Sequence, residues 1–183
     1  MGVHIVLLRG VNLGPRNRVA MAALADALDD QGFAPVRTYL QSGNVVLSST
    51  LAEQRLASKV KGVVHERFGL DIEVLVRTRE ELAEVVRRNP LGGVATDPKR
   101  YQVSFLRREL DRASVKRLGA VAAEGERLRA VGRELYAWHP GGVARSKLWA
   151  ALAARDLGVA ATARNWSTVE RLLALAEEHA CSA

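Results

Sequence analysis

The chain has 183 residues, 48% hydrophobic and 26% charged, a balance that excludes disordered and fibrous classes. No apolar run approaches the roughly 20 residues that span a bilayer, and the single cysteine, Cys181, excludes an intrachain disulfide. A net charge of +7 favours anionic partners, although 22 of the 27 basic residues are arginine, a skew that genomic nucleotide bias also produces.

Residues 3–8 form a continuous apolar run with β-branched members, as in a strand buried on both faces. No basic leader precedes it and no small-residue cleavage site follows, so a cytoplasmic location is expected. Met21, Leu24, Ala25 and Leu28 then recur at helical spacing, with Gly32 placed to stop the helix. Residues 36–40 and 44–48 read as a hairpin turning at Gln41-Ser42-Gly43. Thr50 with Glu53, Thr78 with Glu81, and Ser167 with Glu170 have capping-box spacing. The first two open helices on either side of a strand at 71–76, and the second helix stops at Asn89-Pro90. The order strand, helix, strand, strand, helix, strand predicts a ferredoxin-like subdomain over 1–89. Its right-handed crossover brings the exit of the first strand and the tip of the hairpin to the same end of the sheet.

Residues 90–98, with Gly92, Gly93 and Asp97, read as a linker. Beyond it come a strand at 101–106, a helix capped by Asp111, a hairpin at 127–131 and 134–138, a helix near 147–157 and another near 167–178. This second subdomain, 99–183, is read as a related but incomplete strand-helix-strand-strand-helix arrangement with C-terminal helices. No repeat is visible residue by residue. The fold class is therefore α+β, with two α/β subdomains.

The loop 9–18 leaves a strand and enters a helix, a place where backbone N–H groups and the helix dipole favour an anion. Gly10 and Gly14 match neither a dinucleotide fingerprint nor a P-loop. Arg9 and Arg16 can grip phosphate or carboxylate in bidentate fashion, with Asn12 and Asn17 beside them; the alternative is a plain turn with Asn17 as a helix cap. Gln41, Ser42 and Asn44 at the hairpin tip read either as a turn or as the facing wall of a cleft. Arg145, Ser146 and Lys147 enter a helix behind Gly141-Gly142, and Arg164 and Asn165 precede the last one. Each set reads either as an anion site or as a helix cap.

The four histidines, His4, His65, His139 and His179, lack metal-ligand spacing, so no metal is expected. His4 reads as a satisfied core residue, and Cys181 as part of a frayed tail. No cofactor motif occurs, and no acid or base stands in the N-terminal loops to assign a reaction. The leading expectation is a cleft lined by 9–18 and 41–44, completed by the later basic residues, that binds a nucleotide or phosphorylated metabolite. One alternative is a nucleic-acid module using the basic run Lys99, Arg100, Arg107, Arg108, Arg112, Lys116 and Arg117. Against it, the strands 3–8 and 44–48 lack the aromatics of an RNA-binding sheet. The other alternative is an interaction protein without catalysis. No membrane partner is expected.

Leu7-Leu8-Arg9-Gly10-Val11-Asn12-Leu13-Gly14 with Asn17-Arg18-Val19 and Met21, and Arg37 to Val45 with its Gln-Ser-Gly-Asn core, resemble a bacterial family catalogued as domain of unknown function 1697. Gly132-Arg133-Glu134-Leu135-Tyr136, Arg145-Ser146-Lys147-Leu148 and Thr162-Ala163-Arg164-Asn165-Trp166 extend the resemblance along the chain. Pro15 and Arg16 stand where the family usually has glycine and lysine, which stiffens the loop and replaces a point charge with a planar fork. The resemblance implies an α+β fold of two related subdomains and no activity.

Overall fold

The computed structural model describes residues 1–33, 35–154 and 157–182. Its elements are β1 (Gly2–Leu8), α1 (Met21–Leu28), β2 (Arg37–Tyr39), β3 (Asn44–Ser49), α2 (Glu53–Phe68), β4 (Val74–Thr78) and α3 (Arg79–Arg88). They continue with β5 (Tyr101–Leu106), α4 (Arg112–Ala120), β6 (Arg127–Val131), β7 (Glu134–Trp138), α5 (Lys147–Ala153), β8 (Ala161–Asn165) and α6 (Trp166–Ser182). The fold is α+β, with two four-stranded antiparallel sheets. Cα packing divides the chain into unit 1, residues 1–84 with 171–183, and unit 2, residues 85–170. The sequence reading kept the tail 171–183 with the second half; it packs with the first.

Unit 1 has strand order β2-β3-β1-β4. Val6, Leu8, Val45, Leu47, Val74 and Val76 alternate onto one face and pack against α1 and α2, each such burial contributing about 1.5–3 kcal/mol. Ile5, Leu7, Val46 and Leu75 point to the other face and are buried too, which is why these strands read as unbroken apolar runs. Ser48 lies on that second face, and its hydroxyl meets His179 Nε2 at 3.1 Å. The tail 171–183 therefore belongs to this core.

Unit 2 repeats the plan, with order β6-β7-β5-β8. Leu106, Leu135, Ala137 and Ala161 pack against Leu118, Leu148 and Leu152 of α4 and α5. The unit is not incomplete, as the sequence suggested: β8 supplies the last strand. Its five residues include two alanines and no valine or isoleucine, so β propensity does not mark it. It forms because β5 offers it a full register, Gln102 opposite Asn165 through Leu106 opposite Ala161.

The repetition reaches individual bonds. Leu8 N–H donates to Gly43 O at 2.8 Å and Arg9 N–H to Glu73 O at 2.9 Å. Leu106 N–H donates to Arg133 O at 2.8 Å and Arg107 N–H to Ala160 O at 2.9 Å. In each unit the acceptors are the residues just before the third and fourth strands. Arg77 and Arg164 are both buried, one residue from the end of that fourth strand. Each donates from Nη1 to the carbonyl of the residue before it, Val76 at 2.8 Å and Ala163 at 2.7 Å.

Two expected capping boxes take other forms. The cap residue of α2 is Ala52, with no side-chain bond, because the helix starts at Glu53; nearby, Ser49 Oγ accepts Leu51 N–H at 3.0 Å. The last helix begins at Trp166, ahead of the expected Ser167 cap, and Asn165 Oδ1 accepts Thr168 N–H at 2.9 Å. Thr78 and Glu81 do form the reciprocal box, at 3.1 and 2.9 Å. The helix expected over 147–157 ends at Ala153, and residues 155 and 156 lie outside the described ones. Cys181 lies inside α6 and is exposed, not in a frayed tail. Among the described residues no helix is long and apolar enough to cross a membrane.

Candidate functional site at the exit of the first strand

The loop after β1 is held in one shape by its asparagines. Asn12 and Asn17 both adopt left-handed backbone, at φ 56° and 53°, which asparagine tolerates better than other side-chain-bearing residues. Asn12 Nδ2 donates to Val19 O at 2.8 Å and Gln41 O at 2.7 Å, while its Oδ1 accepts Val19 N–H at 2.9 Å. Asn12 N–H donates to Asn17 O at 3.0 Å, and Asn17 Nδ2 returns to Gly10 O at 3.2 Å. Val11 and Val19, both buried, pin the two ends to the core. The loop is thus a clasped excursion, and Asn17 does not cap α1, whose cap residue is Ala20.

The hairpin tip meets this loop, as the strand order requires. Gly43, at φ 77°, lies so close that a Cβ would fall 2.6 Å from Val11 Cγ2 and 2.7 Å from Leu8 Cβ. Asn44 is fully buried, and its Nδ2 donates to Tyr39 O at 2.8 Å and Ser42 Oγ at 3.0 Å. Asn12, Asn17, Ser42 and Asn44 therefore use their polar atoms to build the site. Arg16, Arg18 and Gln41 remain exposed, and their side chains make no hydrogen bond or ion pair among the described residues. Arg9, partly exposed, is fixed through its backbone at the exit of β1.

In unit 2 the expected site residues divide the same way. Ser146 caps α5, accepting Trp149 N–H at 2.9 Å, and Asn165 caps α6. Arg164 is buried, with Nη1 on Thr162 Oγ1 at 2.9 Å, and loss of solvent pulls its pKa down to about 10. Arg145 and Lys147 are exposed, without a side-chain partner among the described residues. Sequence spacing gave no sign of Glu126, which joins His139 and Ser146. His139 Nδ1 lies 2.8 Å from Glu126 Oε1 and 3.0 Å from Ser146 Oγ. Burial pushes the Glu126 carboxyl up, but hydrogen bonds from Ser146, His139 and the Ala123 N–H outweigh it and hold the group below its ordinary value.

That cluster clamps a loop and does not activate a nucleophile. The acid and the serine share one imidazole nitrogen, whereas relay through histidine needs both. The other nitrogen, Nε2, is buried without a partner among the described residues. His4 Nδ1 is likewise without one, so His4 is a core residue but not fully satisfied. Among the described residues no three His, Cys, Asp or Glu are placed to hold a metal ion.

The basic run 99–117 does not form one patch. Its middle is β5, buried throughout, which sets Arg100 and Arg107 beyond opposite strand ends, seven steps and about 23 Å apart along the extended chain. Arg100 bonds Asp97 at 3.2 Å, Arg108 the Gly158 carbonyl at 2.9 Å and Arg117 Ser114 Oγ at 2.8 Å.

Comparison with known proteins gives two findings. A family model described as "Protein of unknown function (DUF1697)" matches residues 1–136. The solved structure of conserved bacterial protein SP0830 from Streptococcus pneumoniae is similar at a TM-score of 0.75 and 20% identity, over 96% of this chain and 98% of that one. That likeness concerns the fold. A search of curated proteins found no match.

Proposed function

The chain belongs to the DUF1697 family of proteins of unknown function, and from that premise we propose that it binds a small anionic ligand, a nucleotide or another phosphorylated metabolite, in the cytoplasm. The ligand sits against the loop 9–18 and the tip 41–44. We read the frame of unit 1 as ferredoxin-like, the arrangement that sets strand exit and hairpin tip side by side. One observation carries the reading: two exposed arginines without a side-chain partner among the described residues, Arg16 and Arg18, ride on a loop whose shape is already fixed by other residues. Pre-set loops lose little entropy on binding, and arginine forks match phosphate oxygens. No Asp or Glu occurs in residues 9–20 or 40–44 to compete for them.

Arg16 and Arg18 hold the anion, Gln41 orients it, and Asn12, Asn17, Ser42 and Asn44 hold the walls. Arg9 at the strand exit is the remaining cation of this site, and Arg145 and Lys147 are proposed, within unit 2, as exposed cations open to an anion in their own right. A thermal-shift screen with nucleotides, sugar phosphates and inorganic phosphate tests it. Ligand at 100 times its Kd adds about 2.7 kcal/mol, a Tm rise of roughly 5–10 °C for a chain of this size. The double variant Arg16→Ala/Arg18→Ala is expected to keep the unliganded Tm and lose the rise. Absence of any shift across all three classes overturns the reading.

A further inference from the structure

Five residues at this end of unit 1 hold left-handed backbone: Gly10, Asn12, Asn17, Leu40 and Gly43. Four are glycine or asparagine, the types for which that conformation is cheap. Leu40, at φ 56°, breaks the rule. A branched apolar side chain there is a standing cost, and its packing does not offset it, because Leu40 is 52% exposed. Strain of this sort, held in place by its surroundings, clusters at ligand contacts. A second large apolar side chain is even barer: Leu13 is 82% exposed.

The two leucines flank a single hydrogen bond. Leu13 follows Asn12 and Leu40 precedes Gln41, and Asn12 Nδ2 donates to Gln41 O at 2.7 Å. Bond lengths alone then keep their Cα atoms within about 16 Å, the span of one nucleotide-sized molecule. Arg16 and Arg18 lie on the same clasped loop. A bare anion has use for the arginines and none for the leucines.

We infer that the ligand of this site is an anion carrying an apolar or aromatic body, with the body against Leu13 and Leu40 and the charge on Arg16 and Arg18. The inference rests on the anion-binding reading above and narrows it from phosphorylated metabolites at large to nucleotide-like ones. Leu40 is retained at a position that glycine or asparagine would fill at lower cost because its side chain meets the ligand.

Titration calorimetry of the full chain with adenosine 5′-monophosphate, phenyl phosphate, ribose 5-phosphate and inorganic phosphate tests this. The first two are expected to bind at least ten-fold more tightly than the last two, since covering two leucines removes apolar area from water. Leu13→Ser and Leu40→Gly are expected to erase that preference while leaving phosphate affinity within two-fold. Equal affinity for adenosine 5′-monophosphate and ribose 5-phosphate overturns the inference and spares the anion site. Failure of all four probes to bind overturns both. A second readout is independent of ligand: Leu40→Gly relieves the backbone strain, so its Tm is expected at or up to about 2 °C above wild type. A fall of several degrees would show that Leu40 serves the fold, and would overturn its assignment to the ligand.

Discussion

The central strand leaves its sheet by the same route in both units, and the two paths then diverge. Leu8 and Leu106 bond the residue before the third strand, and Arg9 and Arg107 bond the residue before the fourth. In unit 2 the chain runs straight through 107–111 to α4, with Asp111 capping the helix at 2.7 Å. In unit 1 it makes the longer excursion 9–20, closed on itself by Asn12 and Asn17. The short exit keeps acids among its arginines, Glu109 and Asp111, and the long one has none. One frame, used twice, thus carries a plain connection and an elaborated loop. The difference locates specialisation in the elaboration, as expected when function rides on loops over a rigid scaffold.

Glycine substitutions at the two turns break this comparison most sharply. Gly43→Ala meets Val11 and Leu8 below 3 Å and also strains a left-handed residue, so about 3 kcal/mol or more is expected to be lost. Gly132→Ala, at φ 58° with its nearest neighbour at 3.8 Å, is expected to cost only about 1 kcal/mol. Urea unfolding of both variants measures the gap; equal losses would mean that the loop does not bear on the tip. Asn12→Ala comes next. It removes three hydrogen bonds in unit 1, at an expected cost of about 2 kcal/mol, against about 1 for Asp111→Ala, which removes a helix cap in unit 2.

Acidification acts on a buried group of each unit with the same sign but in different windows. Burial, with Arg37 adding to it, holds the His179 imidazole of unit 1 below its usual 6.5. The unfolded chain therefore takes up this proton first, and stability is full above pH 6.5 and falls as pH drops through it. The lowered Glu126 carboxyl of unit 2 contributes stability above its usual 4.5 that is lost below it. A Tm–pH curve is expected to fall in two stages, with His179→Gln flattening the first and Glu126→Gln reducing the second. The smallest effect is expected at Arg16→Ala, which should move unliganded stability by less than about 0.5 kcal/mol, because the arginine is exposed and its side chain makes no bond among the described residues.

Much of this frame is legible in the residues. The apolar run 3–8 becomes β1, Thr78 and Glu81 cap α3, and Asp111 caps α4, since each signal is local. The meeting of loop and tip follows from strand order. The tertiary terms are not legible. β8 exists through pairing with β5, and Glu126 and His139 are neighbours only once β6 and β7 have formed. The division among polar residues was hidden for the same reason. Asn12, Asn44, Ser146 and Asn165 share a vocabulary with ligand-binding side chains, and only their bonds distinguish a builder from a contact.

The discontinuity of unit 1 has a consequence for how the chain is made. Its sheet is encoded by residues 1–84, but residues 171–183 leave the ribosome only after the whole of unit 2. Until they do, all of unit 2 has been synthesised and Ser48 still waits for His179. Unit 2 can collapse through local contacts during synthesis, whereas unit 1 closes only through a contact spanning 131 residues. Unit 1, begun before unit 2, is finished after it.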